Sequence, residues 1–193
     1  MTRRILPACL GPLVELPEPI KITGQFSKTT TQSQGSVAGF AVPASERTQW
    51  CWCAVSLGLL KHYNNTQIEQ CMLAEDVFGG SICDDTTNNS PANMDEVLTK
   101  LDLLAEARRN GPLSEQVIRG EIHAQRPVVV QLYWSDRRHV VAISAYVAGA
   151  NQNFYLYLND PARNDGSAIA VALRPFSYFG ATWQYSFLTK APR

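Results

Sequence analysis

Trp50-Cys51-Trp52-Cys53 crowds two thiols and two indoles into the stretch ERTQWCWCAVSLGLLKHYNN, residues 46–65. If a helix begins there, its unpaired first-turn N–H groups and its dipole favour a negative charge at Cys51. A thiol so placed ionises more readily, and the thiolate is the nucleophile. The same N–H groups can hold the oxyanion of a tetrahedral intermediate. One position would thus supply two parts of an acyl-transfer site. Cys53 lies two residues on, near the opposite face, and reads as a small core residue. Trp50 and Trp52 read as apolar anchors of the helix start. Zinc is the competing use of the thiols, but Cys51, Cys53, Cys71 and Cys83 follow a C-x-C pattern with later spacings of 18 and 12, which is no usual zinc pattern. No metal and no cofactor is expected.

A thiol nucleophile needs a base, and the chain has three histidines. His62 lies on the same helix, roughly 16 Å along it at 1.5 Å per residue, too far to touch Cys51. His123 ends a predicted surface helix between Glu121 and Arg126 and is expected to be solvated. His139 opens a strand directly after the polar turn SDRR, where a side chain can project into a cleft; it is the candidate base. The base needs an orienting partner. The next strand ends at LNDP, and in an antiparallel pair joined by a short connection the start of one strand lies beside the end of the next. Asp160 is therefore the candidate orienter, its plainer alternative being a turn former before Pro161. Asn159 points to the opposite face.

These residues sit on two kinds of element. Helical periodicity predicts helices over about 50–63, 66–78, 93–104 and 114–124. Asn64-Asn65 stops the first, Gly79-Gly80 closes the second, and Asn93 with Glu96 forms a capping box at the third. From Pro127 the period changes to strands over about 128–134, 139–147, 154–160, 168–176 and 182–188. Helices first and an antiparallel sheet after them define an α+β fold. Residues 1–38 carry four prolines and the polar tract SKTTTQSQGS. They read as an extended or partly disordered N-terminal arm, with the domain itself over 39–193.

Length and composition bound the rest. The chain has 193 residues, 17 basic and 17 acidic side chains, and 45% apolar residues. Such a balance gives no basic stripe for nucleic acid, and no apolar run is long enough for a membrane span. The opening MTRRILPACLGPLVEL is broken by Pro7, Gly11, Pro12 and Glu15, so a classical signal peptide is not expected. Five cysteines allow at most two disulfides and leave one thiol over. Cys71 and Cys83 are open to pairing or to remaining free.

QWCWCAVSLGLLKHY, HVVAISAYV and LYLNDP, in that order, resemble the papain-like cysteine proteases, and within them the small bacterial effector type, the plant-pathogen avirulence protease and its relatives. The resemblance covers about residues 41–165 and includes QIEQCMLAEDVFGGSICD. It implies Cys51 as nucleophile, His139 as base and Asp160 as orienter. It also implies a helical lobe packed against an antiparallel sheet or barrel lobe, with the cleft between them. The expected partner is a protein substrate, with an inhibitor or immunity protein covering the cleft as a further candidate, and the expected state is a monomer. Secretion without a classical signal and action in a target cell follow from the same resemblance, with a cytoplasmic location as the alternative. The chain departs from the pattern at Ser45, where papain-like enzymes place an oxyanion-binding glutamine; Gln49, Ser45 itself or a backbone N–H are the substitutes to weigh. Two functional alternatives stand beside the peptidase: a glutamine deamidase or acyl transferase using the same three groups, and a decayed papain-like binding module.

Overall fold

Helix α1 (Cys51–Asn64) is buried along ten consecutive residues, Cys51 to Leu60. A helix apolar on every side must be covered on every side. The long strand β4 (Arg138–Ala148) covers one flank, while α2 (Gln70–Phe78) and α3 (Met94–Lys100) cover others. The first element of the chain, β1 (Ser33–Ser36), precedes α1, and the structure, a computed structural model, describes residues 33–193 except 86, 150–152 and 164. Gly58 explains how closely α1 is packed. A Cβ there would stand 2.9 Å from the Ala41 carbonyl oxygen and 3.3 Å from Val42 Cα, so only glycine lets that segment cross the helix.

Helix boundaries follow local chemistry. Asn65 adopts the left-handed conformation (φ 52°) that ends α1, and the Thr66 N–H then reaches back to the Leu60 carbonyl at 3.5 Å. Thr66 thus belongs to the stop of α1, and α2 starts four residues later than the periodicity predicts. Gly79 closes α2 as expected. At α3, Asn93 accepts from the Asp95 N–H at 3.2 Å. The capping box is not reciprocal, because Glu96 takes a 3.3 Å bond from the Asn93 side-chain amide. Ser114 caps α4 (Glu115–His123), accepting from the Val117 N–H at 3.3 Å.

All strand pairs are antiparallel, in the order β2 (Arg109–Asn110), β7 (Thr182–Leu188), β3 (Val128–Tyr133), β4, β5 (Phe154–Asn159), β6 (Ala168–Ala172). β4 outruns β3: its residues Arg138–Ile143 pair with β3, and its residues Ala145–Ala148 pair with β1 on the same edge. Residues 33–36, read from sequence as the end of the arm, form a strand of the sheet, because that second half of β4 offers them an open edge. Residues 1–32 of the arm, Cys9 included, lie outside the described residues. β6 stops at Ala172 instead of running to Phe176, since Pro175 has no N–H to continue the ladder. Helices and strands bury one continuous core. Among the described residues no helix is long and apolar enough to cross a membrane.

Candidate active site

β4 and β5 bring two of the three predicted residues into direct contact. Ala142 pairs with Asn159, so the chain leaving β5 runs back alongside the start of β4. His139 Nε2 and Asp160 Oδ1 are 2.6 Å apart, and both side chains are fully buried. A buried carboxylate is stable only if its lone pairs are occupied. The Ala162 N–H donates to Oδ1 at 2.8 Å, and the Tyr178 hydroxyl donates to Oδ2. Burial pushes the Asp160 carboxyl up, but the His139 charge and the hydrogen bonds from His139, Tyr178 and Ala162 outweigh it and hold the group below its ordinary value. With Nε2–H donating to that carboxylate, the basic lone pair of the neutral ring falls on Nδ1. Asn159 is directed elsewhere, its amide donating to the Ser144 hydroxyl at 2.5 Å.

Cys51 is the first residue of α1, on the helix that packs against the strand carrying His139. Trp50 makes no side-chain cap bond, and the first turn holds no acidic residue. The N-terminal dipole therefore meets no opposing carboxylate within its own helix. The approach to Cys51 is fixed on both sides. Gln70, itself buried, donates to the Ala44 carbonyl at 2.6 Å and accepts from the Glu46 N–H at 3.2 Å. Arg47 donates to the carbonyls of Ile82 (3.2 Å), Asp85 (2.7 Å) and Asn88 while its guanidinium lies 4.1 Å over the Trp50 ring. Asn89 accepts from the Gln49 N–H at 2.7 Å and donates to the Thr48 hydroxyl; Ser90 accepts from the Trp52 indole at 3.1 Å. The disulfide between Cys71 and Cys83 fastens this 82–90 loop to α2.

A backbone hydrogen bond helps join the two sides: the Ser45 N–H donates to the Pro161 carbonyl at 2.8 Å, tying the lead-in of α1 to the corner that follows Asp160. The Ser45 hydroxyl is enclosed without a hydrogen-bond partner among the described residues. Gln49, the other residue weighed for the oxyanion, is exposed.

The remaining sequence candidates have structural places. Cys53 is wholly buried, its S–H donating to the Gln70 carbonyl at 3.1 Å, and burial followed by the Glu46 charge pushes its thiol far up. Trp50 and Trp52 are both buried, as anchors should be. Cys71 and Cys83 are spent on their disulfide, which removes two of the four thiols weighed for zinc. His62 bonds the Gln125 carbonyl at 2.8 Å, and His123 is exposed with its Nε2 2.8 Å from the Tyr146 hydroxyl. Sequence reasoning missed Arg47, Gln70, Asn89 and Tyr178. Each acts across at least 18 residues or on a carbonyl, and neither leaves a local pattern.

A thiol at a helix start, an imidazole–carboxylate pair at the neighbouring sheet corner, and helices packed on an antiparallel sheet together define a papain-like cysteine protease. The comparisons agree. Residues 36–177 match the family described as papain-like cysteine protease AvrRpt2, and the chain belongs to that family. No curated protein matches the chain. Among solved structures, the peptidase domain of Streptococcus ComA, a bifunctional ABC transporter of a quorum-sensing pathway, is similar in fold. Its TM-score is 0.51 at 19% identity, over 80% of this chain and 99% of that one.

Proposed function

We propose that this protease cleaves a peptide bond of a target protein with Cys51 as nucleophile, His139 as general base and acid, and Asp160 as the group that orients the ring. The observation that carries the reading is the 2.6 Å bond from His139 Nε2 to a buried Asp160 carboxylate whose two oxygens are both hydrogen-bonded. It leaves the basic nitrogen of the ring for a thiol on the adjoining helix. The Cys51 proton passes to His139 Nδ1, and the thiolate sulfur attacks the peptide carbonyl carbon. His139 then delivers that proton to the leaving amine as the C–N bond breaks, giving a thioester. Water, deprotonated by His139, attacks the thioester carbon; the C–S bond breaks and the thiolate returns. The backbone N–H groups at the head of α1 are the oxyanion donors in this reading, since Gln49 is turned to solvent.

The protein acts, in the same proposal, as an effector delivered into another cell, on the strength of the avirulence-protease family to which it belongs. The roles this reading offers the N-terminal arm are a delivery signal, a removable pro-segment or a contact for an inhibitor protein. The test compares target cells expressing the wild type and Cys51→Ala. New protein N-termini seen only with the wild type support the reading. A mass gain of about one dalton on glutamine without new termini replaces proteolysis with deamidation, and no difference removes the catalytic role of Cys51.

A further inference from the structure

The turn that follows β6 has no part in the three-residue reading, yet it places a phenol against the orienting carboxylate. Tyr178 is buried to within 1% of complete and donates to Asp160 Oδ2, the oxygen that His139 does not use. Its position is fixed from both sides. The following Phe179 carbonyl accepts from the Trp134 indole at 2.8 Å, which pins the turn to the β3–β4 connection beside His139. The Ala181 N–H returns to the Tyr178 carbonyl at 2.9 Å. Phe179 and Gly180 both take left-handed backbone (φ 48° and 74°). For phenylalanine that conformation is costly and persists only where the surroundings impose it. The turn is thus built to hold one side chain in place.

We propose that Tyr178 is a positioning residue of the active site, acting on His139 through Asp160; the inference rests on the Cys51–His139–Asp160 reading above. Without that phenol the carboxylate would be held only through Oδ1, by His139 and the Ala162 N–H, and its buried Oδ2, short of this donor, would be freer to shift or to take up a proton. The Tyr178 hydroxyl blocks both by occupying Oδ2. The donor does not titrate away, because burial and then the neighbouring Asp160 charge hold the phenol well above its ordinary value. The charged and titratable groups facing this carboxylate are His139 from β4 and Tyr178 from the turn, with Arg163 the further charge felt at Tyr178.

Alkylation of Cys51 by iodoacetamide across pH, read residue by residue by mass spectrometry, tests this without knowledge of the substrate. In the wild type Cys51 reacts much faster than Cys53 at pH 6; if it does not, the three-residue reading itself fails. In Tyr178→Phe the acid limb of the Cys51 profile moves to higher pH, and the rate at pH 5 falls about tenfold, the scale of one hydrogen bond to a buried charge. In an Asp160→Asn background the same substitution changes nothing further, as a residue acting only through Asp160 requires. A Tyr178→Phe profile like the wild type's, a shift to lower pH, or additive effects in the double variant each overturn the inference while leaving Cys51 and His139 in place. 3-Fluorotyrosine at position 178 keeps ring and hydroxyl but is the stronger donor. It moves the limb to lower pH, and its failure to do so overturns the inference even if Tyr178→Phe does not fold.

Discussion

The helical side of the site and its sheet side are held by different means. Around Cys51 the lead-in to α1 is fixed by neutral or singly charged donors on backbone carbonyls, by two buried indoles and by a disulfide one loop away. Around His139 the fixing group is itself a buried charge, and every contact it makes is specific. The first arrangement spreads its stabilisation over many small terms and survives the loss of any one. The second concentrates it, because a buried carboxylate stripped of one donor bears the full desolvation cost. Damage to the helical side should therefore appear mainly as lost stability, and damage to the sheet side mainly as lost chemistry.

Cys51→Ala is expected to have the largest effect, a fall in turnover of about 10⁴-fold or more with the melting temperature nearly unchanged. Residual proteolysis near the wild-type level would break the comparison at its root. Asp160→Asn comes next. It keeps the shape but lets the ring take the wrong tautomer, and turnover should fall by about 10²- to 10⁴-fold. Michaelis constants that rise while turnover holds would count against the orienting role.

The helical side should answer differently. Replacing Cys71 and Cys83 together with serine frees a loop closed over 12 residues and should cost about 3 kcal/mol of unfolding free energy. Selective alkylation of Cys51 over Cys53 should survive. Denaturant unfolding and alkylation on one sample would read both quantities. A loss of selectivity larger than the loss of stability would show that the loop carrying Cys83 tunes the reactivity of Cys51 directly.

The smallest effect concerns acid stability. Asp160 is held below its ordinary value in the folded protein, so the unfolded chain binds more protons in the window between the two values. Its contribution is fully present above the ordinary carboxylate value and is lost as pH falls through the lowered one. Unfolding free energy should thus fall more steeply on the acid side below about pH 4 in the wild type than in Asp160→Asn. Parallel curves would show that the carboxylate is not held ionised by folding.

Much of this was legible beforehand where the chemistry is local. The head of α1, its stop at Asn65, the Gly79 close of α2 and the switch from helix to strand at Pro127 each depend on residues within a turn of one another. The His139–Asp160 pairing spans 21 residues but was legible too, because a short antiparallel connection between β4 and β5 brings the start of one strand beside the end of the next. The misses follow from reach. The start of α2 moved because Thr66 is drawn into the end of α1, and β1 went unread because an edge strand of Ser33–Ser36 has no periodicity until β4 offers it a partner.

Residue types and short spacings by themselves determined where the thiol, the imidazole and the carboxylate would stand, since helix dipoles, strand alternation and turn chemistry act over a few residues. Tertiary structure alone decided how those groups are held: which phenol meets Asp160 Oδ2, which loop carbonyls receive Arg47, and that Ser45 is tied to Pro161. Such contacts join residues 18 to 116 positions apart, and desolvation inside a packed core, with no counterpart in the local sequence, is what makes them matter.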